Sequence, residues 1–196
     1  MPDRDWWQAL WPDPAVVLRA VGIEEWMAVV DLCCGDGYFT APLSRLVHGR
    51  VYAVDLDPAM LDRTQQEIVR TGAPACRLIE ADAADLARLL PEKIDYVLLA
   101  NTFHGVPDKM KLAEAVRHML KPQGLFAIIN WYPKPREQTP VLGKPRGPPT
   151  DMRMSPEEVQ RAVNRAGFSL KRVVDLPPYH YGAVFQRDRG RMNNVS

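Results

Sequence analysis

Val29-Val-Asp-Leu-Cys-Cys-Gly-Asp-Gly37 is the stretch on which the reading of this chain turns. Apolar positions run into Asp31, a turn carrying Gly35 and Gly37 follows, and a helical pattern opens at Thr40. A buried strand delivered to a sharp loop that opens a helix brings backbone amides up to a ligand. Further on, a second apolar strand, Val51-Tyr-Ala-Val54, ends on Asp55. An acid at that strand tip is placed to accept hydrogen bonds from a ribose diol. A loop for a ligand's charged end and an acid for its sugar point to a nucleoside cofactor.

The glycine turn alone would be weak evidence. A nicotinamide-binding turn requires G-x-G-x-x-G, and those positions here read Cys33, Gly35 and Tyr38. The third glycine lets helix and strand pack closely beneath a pyrophosphate, so a tyrosine there argues against that cofactor. Outward from the turn, Asp55 is followed by Leu56 and a second acid, Asp57, ahead of a helix pattern starting at Pro58. A third strand, Arg77-Leu-Ile-Glu80, runs into Ala81-Asp82-Ala83, which puts another carboxylate at the same sheet edge. A fourth, Ile94 to Ala100, ends in Asn101-Thr102-Phe103-His104.

In this order and spacing the motifs resemble the class I S-adenosylmethionine-dependent methyltransferases, over roughly residues 14–187. The resemblance implies S-adenosyl-L-methionine as cofactor. It implies Asp31 and the turn of Cys33, Gly35 and Gly37 at the methionine end, and Asp55 on the ribose with Leu56 beside it. Asp82 and Ala83 would flank adenine, and Ala100 to His104, Asn101 included, would line the methyl group. Cys33 departs from the pattern, which usually has a glycine there. Small non-glycine residues also occur at that position in similar proteins, including those that methylate quinone precursors.

Bulk composition narrows the partners. The chain has 196 residues, 46% hydrophobic and 25% charged, enough for one domain with a real core. A net charge of +1 supplies no excess for an extensive polynucleotide-binding face, although a local patch stays open. Cys33, Cys34 and Cys76 have no C-x-x-C spacing, and no Cys/His cluster resembles a metal site. Reduced thiols in a cytoplasmic protein are expected, with Cys34 in the core. No apolar run approaches the ~18–20 residues of a membrane span, and the acidic N-terminus does not read as a secretory signal.

Periodicity places strands near 28–32, 51–54, 76–80, 95–100, 125–130, 170–175 and 181–187. Helix patterns lie near 40–48, 58–71, 107–120 and 155–166. The fold class is therefore α/β, a Rossmann-like doubly wound sheet of seven strands. It is mostly parallel, and the short link at 177–180 closes it with a C-terminal antiparallel hairpin. Ser155 as N-cap, Pro156 at the first helical position and Glu158 completing a capping box mark the last helix, with Gly167 past its end.

Three segments flank or interrupt a methyltransferase domain expected over 27–187. Residues 1–26 hold Trp6, Trp7, Trp11 and Trp26, and Trp7, Leu10 and Trp11 share one helical face. Either a lid helix or rings packed on the sheet rim would account for them. Residues 132–154, rich in proline, read as a flexible substrate loop over the cofactor edge, with plain disorder as the alternative. Residues 188–196 read as a disordered tail.

Methyl transfer from a sulfonium needs alignment and exclusion of water more than it needs a universal catalytic group. A base is required only when the acceptor must shed a proton. His104 is the base candidate, because an imidazole titrates in the useful range; a loop-shaping histidine is the alternative. Tyr132, Tyr179, His180 and Tyr181 form a polar-aromatic set that would contact substrate or pack at the rim. Asp175-Leu-Pro-Pro-Tyr179 looks like the Asp-Pro-Pro-Tyr motif of nucleic-acid amino-methyltransferases, but that motif follows strand four; here the Pro-Pro pair reads as a turn. The expected activity is methyl transfer to a small, apolar or quinone-like molecule. A protein or RNA methyltransferase and a non-catalytic cofactor-binding module are the alternatives.

Overall fold

The computed structural model describes residues 4–189, so most of the expected tail, residues 190–196, lies outside the described residues. Nine strands and seven α-helices are present among them. The strands are β1 Val29–Leu32, β2 Val51–Asp55, β3 Arg77–Glu80, β4 Ile94–Ala100, β5 Leu120–Trp131, β6 Pro140–Val141, β7 Lys144–Pro145, β8 Phe168–Leu176 and β9 His180–Arg187. The helices are α1 Arg4–Leu10, α2 Pro14–Ala20, α3 Thr40–Leu46, α4 Pro58–Thr71, α5 Ala83–Leu89, α6 Lys109–Met119 and α7 Pro156–Asn164.

Seven strands form one sheet in the order β3-β2-β1-β4-β5-β9-β8. Pairing is parallel from β3 through β5, and β9 runs antiparallel to both β5 and β8. The order reverses at β1, whose neighbours are β2 and β4. A crevice therefore opens beyond the carboxyl ends of these strands, where open α/β sheets bind ligands. β1 and β4 lie in the middle and are largely buried on both faces, as strands covered by helices on both sides must be.

One face carries α2, α3 and the N-terminal tryptophans over Val29, Tyr96, Leu98 and Ile129. The other carries α5, α6 and α7 over Val30, Val97, Leu99 and Phe126. Helix ends follow their sequence signals. Ser155 Oγ accepts from Glu158 N at 3.2 Å while Ser155 N donates to Glu158 Oε2 at 2.7 Å, the complete capping box at α7.

The sequence reading missed α2 and α5. Asp82 was read as a ligand acid, yet its carboxylate also accepts from Ala84 N at 2.8 Å and so caps α5. Seven residues give too short a periodic pattern to stand out.

The segment 132–154 is folded, which corrects the structureless loop expected there. It contains the two-stranded β6–β7 hairpin and is built around Arg153, which is 5% exposed. The guanidinium donates to Pro148 O at 3.2 Å, Lys134 O at 2.9 Å, Thr139 Oγ1 at 3.0 Å and Arg146 O at 2.9 Å. It also lies 4.9 Å over the Trp131 ring. Proline-rich composition hid a core made of backbone carbonyls and one arginine, which leaves no hydrophobic period to read. Arg153→Ala should destabilise the fold by ~2–4 kcal/mol, because several carbonyl acceptors lose their charged donor. Thermal unfolding checks this: a fall of roughly 5–15 °C is expected for a domain of this size, and an unchanged midpoint would contradict the role.

Trp6, Trp7 and Trp11 are buried in an aromatic cluster with Trp131 and His180, whereas Trp26 is 57% exposed. Burying each indole gives on the order of 4–6 kcal/mol of gross hydrophobic stabilisation. α1 is thus packed on the sheet rim, and Trp26 has no share in that face. Pro177-Pro178 forms the tip of the β8–β9 hairpin, as a turn and not a substrate motif.

Candidate active site

The turn after β1 is held from both sides. Cys34 N donates to Val54 O at 2.9 Å, and Thr64 Oγ1 on α4 donates to Gly35 O at 2.8 Å. Gly37 has φ +81°, and a Cβ there would stand 2.9 Å from the Thr64 Cα. Only glycine permits that approach of helix to loop. Cys33 also takes the left-handed conformation, φ 59°. The departure in sequence therefore leaves the geometry a glycine would have, at a cost of about 1–2 kcal/mol of backbone strain.

Asp55 secures the turn as well. Its Oδ2 accepts from Gly35 N at 2.9 Å and its Oδ1 from Asp57 N at 3.1 Å. A carboxylate offers about four acceptor positions, so lone pairs are left for a diol. Asp57 Oδ1 accepts from Ala59 N at 2.9 Å and caps α4.

Asp31 is the most perturbed acid of the site. It is 2% exposed, and Thr40 Oγ1 donates to its Oδ2 at 2.6 Å. Burial pushes its pKa from 3.8 up to about 7; the Thr40 bond opposes this and the charge of Asp55 adds to it. The folded-state value lies above the unfolded one, so Asp31's contribution to stability is complete below about pH 4 and is lost as pH rises through about 7. Asp31→Asn should therefore gain thermal stability over the native chain on going from pH 5 to pH 8. Melting curves across that range test this, and a constant difference would contradict it.

Two cavities flank the turn. The first, about 410 Å³, is lined by Trp7, Asp31, Cys33, Cys34, Gly35, Tyr38, Phe39, Asp55, Asp57, Met60, Ala100, Asn101 and Thr102. The second, about 450 Å³, is lined by Leu32, Cys33, Val54, Asp55, Leu56, Ala81, Asp82, Ala83, Asn101, Thr102, His104, Gly105, Val106, Pro107 and Leu112. Cys33, Asp55, Asn101 and Thr102 belong to both, so the two spaces meet at the sheet's switch point. Asn101 has φ 58°, donates its backbone N–H to Ile129 O at 2.8 Å, and keeps a buried Oδ1 with no hydrogen bond. Leu56 is 65% exposed at the rim.

His104 is half-buried on the 3₁₀ turn Phe103–Gly105, with Nδ1 3.4 Å from Asn130 Oδ1. Burial lowers its pKa below the usual 6.5; the Asn130 bond opposes this, and Lys109 and Arg153 add to it. None of the four expected substrate contacts lines either cavity. His180 is fully buried between Trp7, Trp11 and Trp131, and Tyr181 is fully buried with its hydroxyl donating to Met154 O at 2.8 Å. Both are corrected to core positions: a turn-flanking aromatic pair in sequence carries no sign of what packs over it. Tyr179 stacks on Trp131 and donates to Pro140 O at 3.0 Å, and half-buried Tyr132 packs on Tyr181. Trp7, Tyr38, Phe39 and Met60 were missed as lining residues. Tyr38 was informative only as a missing glycine, yet its hydroxyl donates toward Trp7 O at 3.1 Å and Trp11 O, tying α1 to the turn.

Burial, aided by Asp55 and Asp31, pushes the Cys33 thiol up to about 12, and burial also raises Cys34 and Cys76. All three are free, and burial disfavours the thiolate of each. Among the described residues there is no cluster that could hold a metal ion, and no helix is long and apolar enough to cross a membrane.

Comparison with known proteins agrees with this geometry. A methyltransferase domain family matches residues 29–124. The chain is 29% identical to the demethylmenaquinone methyltransferase of Geobacillus stearothermophilus over 58% of its own length and 49% of that protein's. It is 34% identical to the trans-aconitate 2-methyltransferase of Escherichia coli O139:H28 over 60% of its length and 46% of that protein's. The aligned segment thus spans about half of each of these relatives. Among solved structures, a SAM-dependent methyltransferase from Aquifex aeolicus superposes with a TM-score of 0.77 at 25% identity, covering 94% of this chain and 93% of that one. Magnesium protoporphyrin IX methyltransferase from Synechocystis, solved with bound SAM, shares the fold with a TM-score of 0.66 at 19% identity, covering 94% and 81%. The strand order, the acid-glycine turn and these likenesses together make the chain similar to the class I S-adenosylmethionine-dependent methyltransferases.

Proposed function

We propose that this protein binds S-adenosylmethionine across the two joined cavities and methylates a small, apolar or quinone-like acceptor in the cytoplasm. The observation that carries the reading is the junction itself. The strained turn, the Asp55 carboxylate and the unpaired Asn101 Oδ1 converge where the two cavities meet.

The residues fit such a cofactor. A buried carboxyl at Asp31 with no cation facing it among the described residues, and a buried acceptor at Asn101 with no donor, both suit a ligand bearing an ammonium group. Asp55 would hold the ribose, with Leu56 beside it, and Asp82 and Ala83 would flank the adenine. When bound, the sulfonium supplies an already activated methyl group. The chain's own work is then to orient donor and acceptor and keep water out. Val106, Pro107 and Leu112, which line the second cavity along with His104, give it an apolar wall, which supports an apolar acceptor.

The test is a methyl-transfer assay with radiolabelled S-adenosylmethionine against quinols, phenols, small carboxylic acids, bulk RNA and protein. Label in the organic-extractable small-molecule fraction is expected. Label confined to acid-precipitable RNA or protein would overturn the acceptor class.

A further inference from the structure

Inside the sheet edge behind His104 lies a polar chain that the proposed cofactor site does not use. Asn130, next to the last residue of β5, is 1% exposed, and its Oδ1 is the atom 3.4 Å from His104 Nδ1. Across the β5–β9 ladder Asn130 faces Tyr181, whose phenol burial pushes up and a hydrogen bond from Asn130 draws partly back. The Tyr181 hydroxyl gives its single proton to Met154 O at 2.8 Å, so toward Asn130 it can only accept. That turns the amide nitrogen of Asn130, which makes no standard hydrogen bond, toward Tyr181 and the carbonyl oxygen toward His104. A carbonyl oxygen is an acceptor only, so His104 Nδ1 must carry the imidazole proton. Its Nε2 is left as a lone pair on a residue that lines the second cavity.

We infer that Asn130 is a positioning residue, held by Tyr181 and Met154, that locks neutral His104 in the Nδ1–H tautomer and so selects an acceptor that arrives with a proton on its nucleophilic atom. This rests on the methyltransferase reading for its chemistry. A hydroxyl, phenol or acidic C–H would hand its proton to Nε2 as its electron pair attacks the methyl carbon of the sulfonium donor, whose carbon–sulfur bond would break with its electrons leaving on sulfur as a neutral thioether. The Nδ1–H bond to Asn130 then steadies the imidazolium that results. A thiolate carries no proton to give up, and a neutral amine attacks through an existing lone pair, so neither needs that arrangement for the attack itself. The chain also joins the base to the 132–154 segment, because Met154 closes it.

Nitrogen-15 NMR of the imidazoles in the cofactor-free full chain tests this without any acceptor. Four histidines are present, and His104→Gln assigns the signal by removing it. A wild-type spectrum showing the Nδ1–H form for His104 is expected, with Asn130→Leu moving it toward the Nε2–H form that an unconstrained imidazole favours. An Nε2–H form in the wild type, or an unchanged tautomer in a folded Asn130→Leu variant, would overturn the inference. If Asn130→Leu does not fold, the wild-type spectrum decides alone. Because no cofactor enters the measurement, its failure stays distinct from failure to bind S-adenosylhomocysteine.

Discussion

His104→Ala should lower the methyl-transfer rate by ~10²–10⁴-fold, the usual range for loss of a general base, with cofactor affinity little changed. The pH profile carries a further signature. A base works only when unprotonated, so the wild-type rate should rise with pH along a limb centred below 6.5, the direction in which burial moves this imidazole. The alanine variant should lose that limb. His104→Asn with near-native rate and an unaltered profile would eliminate the base and leave a loop-shaping role. The acceptor would then be one that attacks through an existing lone pair.

The second large effect falls on Asp55. Asp55→Ala removes the carboxylate expected to hold the ribose, at ~1.5–3 kcal/mol for each charge-assisted bond. Two such bonds correspond to roughly 10²-fold or more in dissociation constant. The structure adds a second cost, because the same carboxylate accepts from Gly35 N and Asp57 N and so shapes the turn. Asp55→Asn, which keeps an acceptor for one of those amides, should therefore lose less affinity than Asp55→Ala. Calorimetric titration of both variants measures this, and equal or unchanged constants in folded proteins would place the ribose elsewhere.

Most of the fold was legible in the sequence because β1, β2 and β4 are short, largely apolar runs. Val29–Leu32, Val51–Asp55 and Ile94–Ala100 could be read from their largely apolar runs, and α7 from its capping box. The geometry of the candidate site was legible for the same reason: a turn that needs Gly37, and acids at strand tips, leave fixed marks. What escaped was held together by long-range partners. Arg153 organises 132–154 through carbonyls scattered over Lys134, Thr139, Arg146 and Pro148, a pattern with no period. His180 and Tyr181 looked like substrate contacts because nothing local announces the N-terminal tryptophans over one or Met154 against the other. Asp82 shows a different gap. It was read for one role at the ligand edge and also caps a helix.

The central claim is that the groove around Asp31, Asp55 and Asn101 holds S-adenosylmethionine and not a dinucleotide. Calorimetric titration of the purified full chain with S-adenosylhomocysteine and, separately, with NAD tests it most directly. The account predicts saturable one-site binding of S-adenosylhomocysteine and no measurable heat with NAD. Tight NAD binding with no S-adenosylhomocysteine signal would contradict it.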